Sequence, residues 1–547
     1  MLQPQPISAT AFWFMLITCF VATCVPGNVN GQKPNAWNQG AGPDGSFVVG
    51  GAAPTAWSVV RDQNIRWRKP LPETGQSTVV TWGDRVFFTT MRHEESDEPR
   101  TLGSDIVAWC CNADDGSTIW KRDIPAKFPL RLSGCFSDSS SPPPVTDGKR
   151  VCFFNASGSI ACFDLQGNKI WQNEMMCVGR SQPFIVGDNV VFTKQSYMPD
   201  DQGHFTHEHK NLPVDGWTQL QALDIATGKP MWNTTCGINM GSVSLPLTMS
   251  DGREVIVCGR GGGHSPPEKP EGISLVDANN GETLWTLPLT KFMSTMTFNA
   301  FDDQILVFHR DEHLWVNARS GKIDRRVSIT GDVTVAVVEG QDRSYASRTV
   351  QLKSAKKSRM IIQQSNVLVG QYHYFRSYTQ PWLGRVNVDS GVVEYLQLPL
   401  QLKRVAGDKN DYFAWDESDM DADAIEAVKA SQRKRPKKLP LQYTGFALNT
   451  CKNGAGQIVM GDARSQGNGW SHHASQVPTA VGEYLYVCSM SGTVYVISHA
   501  AEQLDGDAVV AINDLGPIGE SWTRASLSFA DGRLYAHTIK ELVCIQD

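Results

Sequence analysis

The sequence predicts an all-β chain folded as an eight-bladed β-propeller, each blade a four-stranded antiparallel sheet. The ring is closed by an N-terminal strand that completes the last blade. Three observations predict this. A hairpin unit returns along most of the chain, a second strand–turn–strand signature precedes it, and each chain end lacks what the other supplies.

The hairpin unit is clearest from Ala222 to Trp232, which reads ALDIATGKPMW. Related copies are CCNADDGSTIW ending at Trp120, CFDLQGNKIW ending at Trp171, LVDANNGETLW ending at Trp285, and the decayed WVNARSGKIDR and RVNVDSGVVEY ending at Arg325 and Tyr395. A unit recurring every roughly 40–70 residues marks a repeat architecture. In each, an apolar strand leads to Asp or Asn (Asp164, Asp224, Asp277), a short polar stretch, then Gly (Gly116, Gly167, Gly228, Gly281) and a second strand. The acid can bond its own backbone and Gly supplies a positive φ, so each copy is a hairpin turn. The closing Trp67, Trp120, Trp171, Trp232 and Trp285 suit an outer strand whose indole packs flat on the next sheet. Arg325 and Tyr395, standing where Trp is expected, imply blades packed in another way.

The second signature is an apolar residue, a polar turn and an alternating strand, as in Val80–Phe88. It returns at Val145–Val151, Ile185–Phe192, Met249–Val257, Phe301–Phe308, Val369–Phe375, Val481–Val487 and Phe529–Tyr535. Each start followed by a second hairpin gives four strands, a propeller blade. Residues Glu541–Asp547 stop where an outer strand is due, whereas Asn64–Leu71 offers an outer strand with its Trp and no inner strands before it. Joining the two removes a pair of exposed sheet edges.

The chain has 547 residues, 41% of them hydrophobic, enough for a large core, and its net charge of −6 gives no electrostatic case for nucleic acid. Ala11–Val25 has the length of a signal-peptide core and falls short of a spanning helix. Residues 1–31 are therefore expected to be a signal peptide, 32–56 a linker, and 57–547 one propeller domain of an exported, periplasmic or cell-surface protein. Membrane contact would arise only through lipidation at Cys24. Eleven of the 13 cysteines lie beyond the leader, and Cys110, Cys162, Cys258, Cys488 and Cys544 fall in predicted strands, where cysteine serves as a small apolar residue. Insertions are expected at 93–103, 198–217 and 264–272. The largest, charged, runs from 408 to 440, acidic at its start and basic in Arg433–Lys438, and reads as a solvated excursion or a partner-docking site.

The motif at Ala222–Trp232 resembles the tryptophan-docking motif of pyrroloquinoline quinone (PQQ)-type propeller repeats, and the likeness extends over nearly all of the chain after about residue 55. That resemblance implies one of two branches. One comprises quinoprotein dehydrogenases with PQQ and calcium on the axis. The other comprises non-catalytic propellers similar to BamB, the outer-membrane assembly lipoprotein, which bind partner proteins. The opening Trp57–Thr90 also looks like exported PQQ-like propellers of planctomycete-type bacteria.

The resemblance brings to mind, at Cys110-Cys111, the vicinal disulfide that stacks on PQQ in methanol dehydrogenases. The pair sits inside a docking motif, on a strand whose successive side chains face opposite ways, and this favours two structural cysteines. No CxxCH occurs, which excludes a fused c-type haem site. Asp138, Asn239 and Glu520 are of types that could serve PQQ and calcium, without diagnostic spacing. His204, His207, His209 and Glu208 offer zinc-type donors but occupy an inserted loop with no rigid frame. Arg180, Ser181, Asn239, Ser242, His472, His473, Trp522 and Arg524 take related places near the inner rim. They are expected to line the axial channel, around a water column or a small polar ligand. The reading that follows is an exported, non-catalytic scaffold without cofactor or metal, binding envelope or secreted proteins or a small polar ligand. Its alternatives are a PQQ- and calcium-dependent oxidoreductase and a carbohydrate-binding or carbohydrate-cleaving propeller.

Overall fold

Eight four-stranded antiparallel sheets follow one another around a ring. Blade 1 is built from Val80–Trp82, Arg85–Met91, Ile106–Asn112 and Thr118–Ile124, and blade 2 from Val145–Thr146, Arg150–Asn155, Ser159–Asp164 and Lys169–Asn173. Blade 3 takes Phe184–Val186, Asn189–Lys194, Gln219–Asp224 and Pro230–Asn233, and blade 4 takes Leu245–Thr248, Glu254–Arg260, Gly272–Asp277 and Thr283–Pro288. Blade 5 comprises Asn299–Phe301, Gln304–His309, Glu312–Asn317 and Ile323–Ser328, and blade 6 comprises Asn366–Val369, Tyr372–Arg376, Trp382–Asn387 and Val393–Gln397. Blade 7 holds Thr479–Val481, Tyr484–Cys488, Thr493–Ser498 and Val509–Asp514. Blade 8 joins Ser528–Ala530, Arg533–His537 and Glu541–Ile545 to the N-terminal Ile65–Pro70. The computed structural model describes residues 36–93, 105–128, 138–179, 181–196, 216–239, 242–261, 269–292, 297–339, 344–352, 365–376, 382–398, 402–405, 412–415, 453–454, 476–489, 492–516 and 521–547. All lie in the unit Asn35–Asp547. The expected signal peptide, Cys24 and most of the 408–440 insertion fall outside them.

The ring closes as the sequence predicts: Trp67 pairs with Cys544 and Arg68 with Val543. The Arg68 guanidinium grips the Glu541 carboxylate through two bonds, 2.9 and 2.8 Å, 473 residues away along the chain.

Each docking indole lies on the glycine of the next blade's turn. A β-carbon built on Gly116 would stand 2.7 Å from the Trp67 ring. On Gly167 it would stand 2.8 Å from Trp120, on Gly228 2.6 Å from Trp171, on Gly281 2.8 Å from Trp232, and on Gly321 2.7 Å from Trp285. The indole N–H then donates to a carbonyl two or three residues before that glycine: Trp67 to Ala113, Trp120 to Leu165 and Trp171 to Ile225 at 3.0 Å, Trp285 to Ala318 at 2.8 Å. Trp232 Nε1 is buried without an acceptor among the described residues. The turn acids hold the hairpins in shape. Asp224 Oδ1 accepts from Thr227 N and Oγ1, Asp277 Oδ1 from Asn279 N, and Asp164 Oδ1 from Gln166 N and Asn168 N. A register shift between the third and outer strands accompanies the motif in blades 1–5, 7 and 8, as expected of a bulge that re-aims a side chain.

Arg325 corrects the expectation that its blade packs differently. Its guanidinium lies on Gly391 of blade 6, within 4.6 Å of the Trp315 ring centroid. It donates to the carbonyls of Val388, Asp389 and Ser390 at 3.2, 2.7 and 2.7 Å. A flat fork of donors thus does what the indole does elsewhere. Arg325→Lys keeps the charge but not the fork, so thermal unfolding should report a loss of about 1–3 kcal/mol, and Arg325→Trp a smaller one. Equal stability of the lysine variant would refute the role. Tyr395 does depart from the pattern: blade 6 has a regular outer register, and the Tyr395 hydroxyl donates to Ile329 O at 2.6 Å.

The sequence reading did not anticipate two additions. A hairpin, Asp332–Glu339 with Ser344–Gln351, extends blade 6, Thr334–Ala336 running parallel to Glu394–Leu396. Its Tyr345 ring packs against Gly506, leaving no room for a β-carbon there, and so bridges to blade 7. The second lies in the segment expected to be a linker, 32–56, which is packed from Ala36 on, with Trp37 at 0% and Phe47 at 3% exposure.

Candidate functional site

The first strands of the blades surround the axis and are tied to one another by side chains. Thr479 Oγ1 donates to Leu527 O and Ser528 Oγ to Val79 O, while Asn299 Nδ2 donates to Asn366 Oδ1. Residues 36–49 follow these inner strands. Trp37 exchanges bonds with Thr81 of blade 1: its N–H donates to Thr81 Oγ1 at 2.9 Å, and its carbonyl accepts from Thr81 N at 2.8 Å. Asn38 O accepts from Thr146 N of blade 2, and Gln39 Oε1 from Ile185 N of blade 3. Phe47 O and Val49 O accept from Ala480 N and Gly482 N of blade 7, and Val48–Val49 pair in parallel with Ala480–Val481.

Of the side chains expected on the axial rim, Asn239 and Ser242 are brought together, clamping backbone. Asn239 N donates to Gly259 O, its amide side chain donates to Gly261 O, and Ser242 Oγ accepts from Gly259 N at 3.0 Å. Ser181 is buried, its N–H bonded to Val178 O and its hydroxyl without a partner. Trp522 is buried and accepts from Ile539 N on its carbonyl; Arg524 is half-buried beside it. Arg180, His472, His473, Glu520 and the His204–His209 group lie outside the described residues.

A more tightly built polar group sits where blades 8, 1 and 2 meet. Glu73 is fully buried; its Oε1 accepts from Thr74 N at 2.8 Å and Asn453 Nδ2 at 2.9 Å. Asp138 is also fully buried, and its Oδ1 accepts from Ser140 N (2.8 Å), Ser140 Oγ (2.6 Å) and Ser141 Oγ (3.3 Å). Among the described residues, Asp138 Oδ2, Thr74 Oγ1 and His537 Nε2 find no partner. Burial pushes the Asp138 carboxyl up to about 6 against the pull of those serine bonds, with Glu73 repelling its charge. The sequence reading named Asp138 but not Glu73 or His537, because an ordinary alternating strand such as Arg533–His537 carries no mark of what its end will face.

The raised Asp138 has a definite consequence. Its folded form holds a proton that the unfolded chain has released between about pH 4 and 6, so stability falls as pH rises through that window. Asp138→Asn removes the penalty and should stabilise the fold by about 2–3 kcal/mol at pH 7 and by little at pH 4. Denaturant midpoints at the two pH values check this; a variant less stable at pH 7 would contradict it.

A second buried network joins blades 5 and 6. His313 Nε2 meets His373 Nδ1 at 2.8 Å, and His373 Nε2 lies 2.9 Å from Asn366 Oδ1 and 3.2 Å from Asn299 Nδ2. Burial pushes the His373 imidazole down to about 3 and holds His313 well below the usual range, helped by His373 and Arg325. Both rings are neutral at pH 7.

The fit of these residues to PQQ and calcium is poor. Cys110 and Cys111 are free thiols that pack into different hydrophobic clusters, pushed up by burial to about 12 and about 11. Asn239 is committed to Gly261 O. Among the described residues no three His, Cys, Asp or Glu side chains gather as metal ligands.

A family model described as outer membrane protein assembly factor BamB matches residues 103–211 and 201–374. No curated protein sequence matches the chain. BamB from Moraxella catarrhalis is similar in structure at 12% identity and a TM-score of 0.44, over 88% of this chain and 96% of that one. The quinohemoprotein alcohol dehydrogenase from Comamonas testosteroni aligns at 11% identity and a TM-score of 0.49, over 93% of this chain and 80% of that one. A europium-containing methanol dehydrogenase aligns at 10% and 0.47, over 92% and 89%. With its docking repeat, its closed ring of eight blades and the match to that model, the chain is a PQQ-like β-propeller.

Proposed function

We propose that this propeller is an exported, non-catalytic scaffold that holds protein partners in the cell envelope. The observation that carries the reading is the use to which the axis is put: residues 36–49 fill its inner edges, and Asn239 and Ser242 are spent on backbone. The match to the BamB model points the same way, since the proteins it describes are named as assembly factors. No helix among the described residues is long and apolar enough to cross a membrane. Affinity capture from envelope extracts, with the purified chain as bait and the same chain unfolded as control, should recover a stoichiometric partner. Alcohol-dependent dye reduction after loading with PQQ and Ca²⁺ would sink the reading.

A second reading, a small polar ligand held on the axis, draws on Asp138 Oδ2, Thr74 Oγ1 and His537 Nε2, three buried atoms without partners among the described residues. Buried polar atoms are rarely left unpaired in native proteins. A glycan and polyol screen by thermal shift, with Asp138→Asn as the comparison, distinguishes it: a hit lost in the variant supports it, and no hit removes it.

A further inference from the structure

The inner strands of blades 3 and 7 face each other across an eight-membered ring. Gln39 is bonded to blade 3 and Val49 to blade 7, so the nine intervening residues carry the chain from one side of the ring to the other. Other contacts fill in the path. Trp37 and Asn38 bond blades 1 and 2, the Gly45 backbone packs on Pro246 of blade 4, and Gly51 meets Phe529 of blade 8. The bonded residues Thr81, Thr146, Ile185, Ala480 and Gly482 all lie at or beside the tight turn that joins a blade's first two strands, so the segment sits toward one end of the channel.

We propose that residues 36–49 are a built-in stopper. They seal the axial channel on the face of the tight turns, so that a small polar molecule reaches the axial side chains only from the opposite face. The proposal stands whether or not the scaffold reading does.

The physical case has three parts. Inner strands present an unpaired edge to the channel, and the stopper supplies acceptors for the N–H groups of Thr81, Thr146, Ile185, Ala480 and Gly482. It buries Trp37 and Phe47, apolar area that favours the docked state by about 1.5–3 kcal/mol for each side chain. It is also shaped to its seat. Any side chain at Gly40 would strike Pro143 and the Gln182 amide, and Asn38 lies wholly inside. Beyond it, Gly50, Gly51 and Ala52 are exposed. Ser58 then anchors the chain to Asp514 at 2.5 Å, ahead of the blade 8 strand. The stopper therefore hangs on an exposed, glycine-containing tether and can leave without opening the ring.

Hydrogen exchange on the full chain tests this directly. The amides of Thr81, Thr146, Ile185, Ala480 and Gly482 should exchange slowly. In Gly40→Phe they should accelerate together by about a hundredfold, while ladder amides such as Val190 and Leu223 keep their protection. In a second arm, Ala480→Cys places a thiol beneath the stopper. N-ethylmaleimide should label it at least about tenfold faster when Gly40→Phe is added. Exchange of the five amides at unprotected rates in the parent chain would overturn the proposal, as would equal labelling with and without Gly40→Phe. Should the double variant fail to fold, exchange in the parent alone decides.

Discussion

Trp171→Ala should lower the unfolding free energy by about 3–5 kcal/mol, the largest loss expected from a single side chain here. The indole is 9% exposed, packs with Phe154, Phe192 and Leu223, and donates to Ile225 O at 3.0 Å. Trp171→Phe retains most of the apolar contact and loses that bond, so about 1 kcal/mol of the total should follow the N–H. Gly228 is the reciprocal partner. Its φ of +72° is one that side chains adopt at a cost of roughly 1–2 kcal/mol, and a β-carbon there also meets the indole at 2.6 Å. The two changes should not add. With the indole gone the clash at Gly228 disappears, so Trp171→Ala with Gly228→Ala should be more stable than the sum of the single losses. Urea midpoints of the four proteins measure this, and strict additivity would mean that the ring and the turn do not pack as a unit.

Acid should destabilise the protein well before its surface carboxylates titrate. His313, His373 and His537 are neutral in the fold, with His373 pushed down to about 3 and His537 to about 4 by burial. Below about pH 6.5 the unfolded chain binds protons that the folded chain refuses, so stability falls as pH falls, by about 1.4 kcal/mol per pH unit for each group. Between pH 6.5 and 5 the three together should lose about 4–6 kcal/mol, a large share of the stability of an ordinary domain. Asp138 works in the opposite direction over part of this range, because its folded carboxyl takes a proton first. The measurement is unfolding free energy against pH for the parent and for His373→Gln, which can still bond Asn366. The variant's slope should be shallower by about one proton. Identical slopes would show that His373 does not carry the acid sensitivity.

The architecture was legible because its carriers are chemically conspicuous. A strand that ends in Trp after Asp and Gly specifies both a turn and a docking surface, and the unmatched strand at Asn64–Leu71 announces ring closure. What stayed hidden lacks such marks. Ala36–Val49 holds three glycines and no apolar alternation, since its bonds to the blades use backbone carbonyls and the Gln39 amide rather than an apolar face. The hairpin at Asp332–Gln351 alternates well enough, but parallel pairing to blade 6 is a tertiary choice that local pattern does not encode. Arg325 hides its docking role because residue type is a poor guide to geometry: a guanidinium and an indole share flatness and an N–H. The axial candidates were placed by analogy between blades. Hydroxyl and amide groups serve equally as ligand contacts or as backbone clamps, and only coordinates separate those uses.

The pairing of Ile65–Pro70 with Glu541–Ile545 sets a timetable for folding. Neighbouring blades can stack as soon as both exist, but blade 8 must await a partner 473 residues further along. The entropy of closing so long a loop rises only slowly with its length, so the burden is one of time rather than free energy. Until Glu541–Ile545 arrives, Ile65–Pro70 is an orphan strand with a free edge, open to capture by a second chain. Changes in this strand should therefore act on refolding yield at high protein concentration more than on the lifetime of molecules already closed.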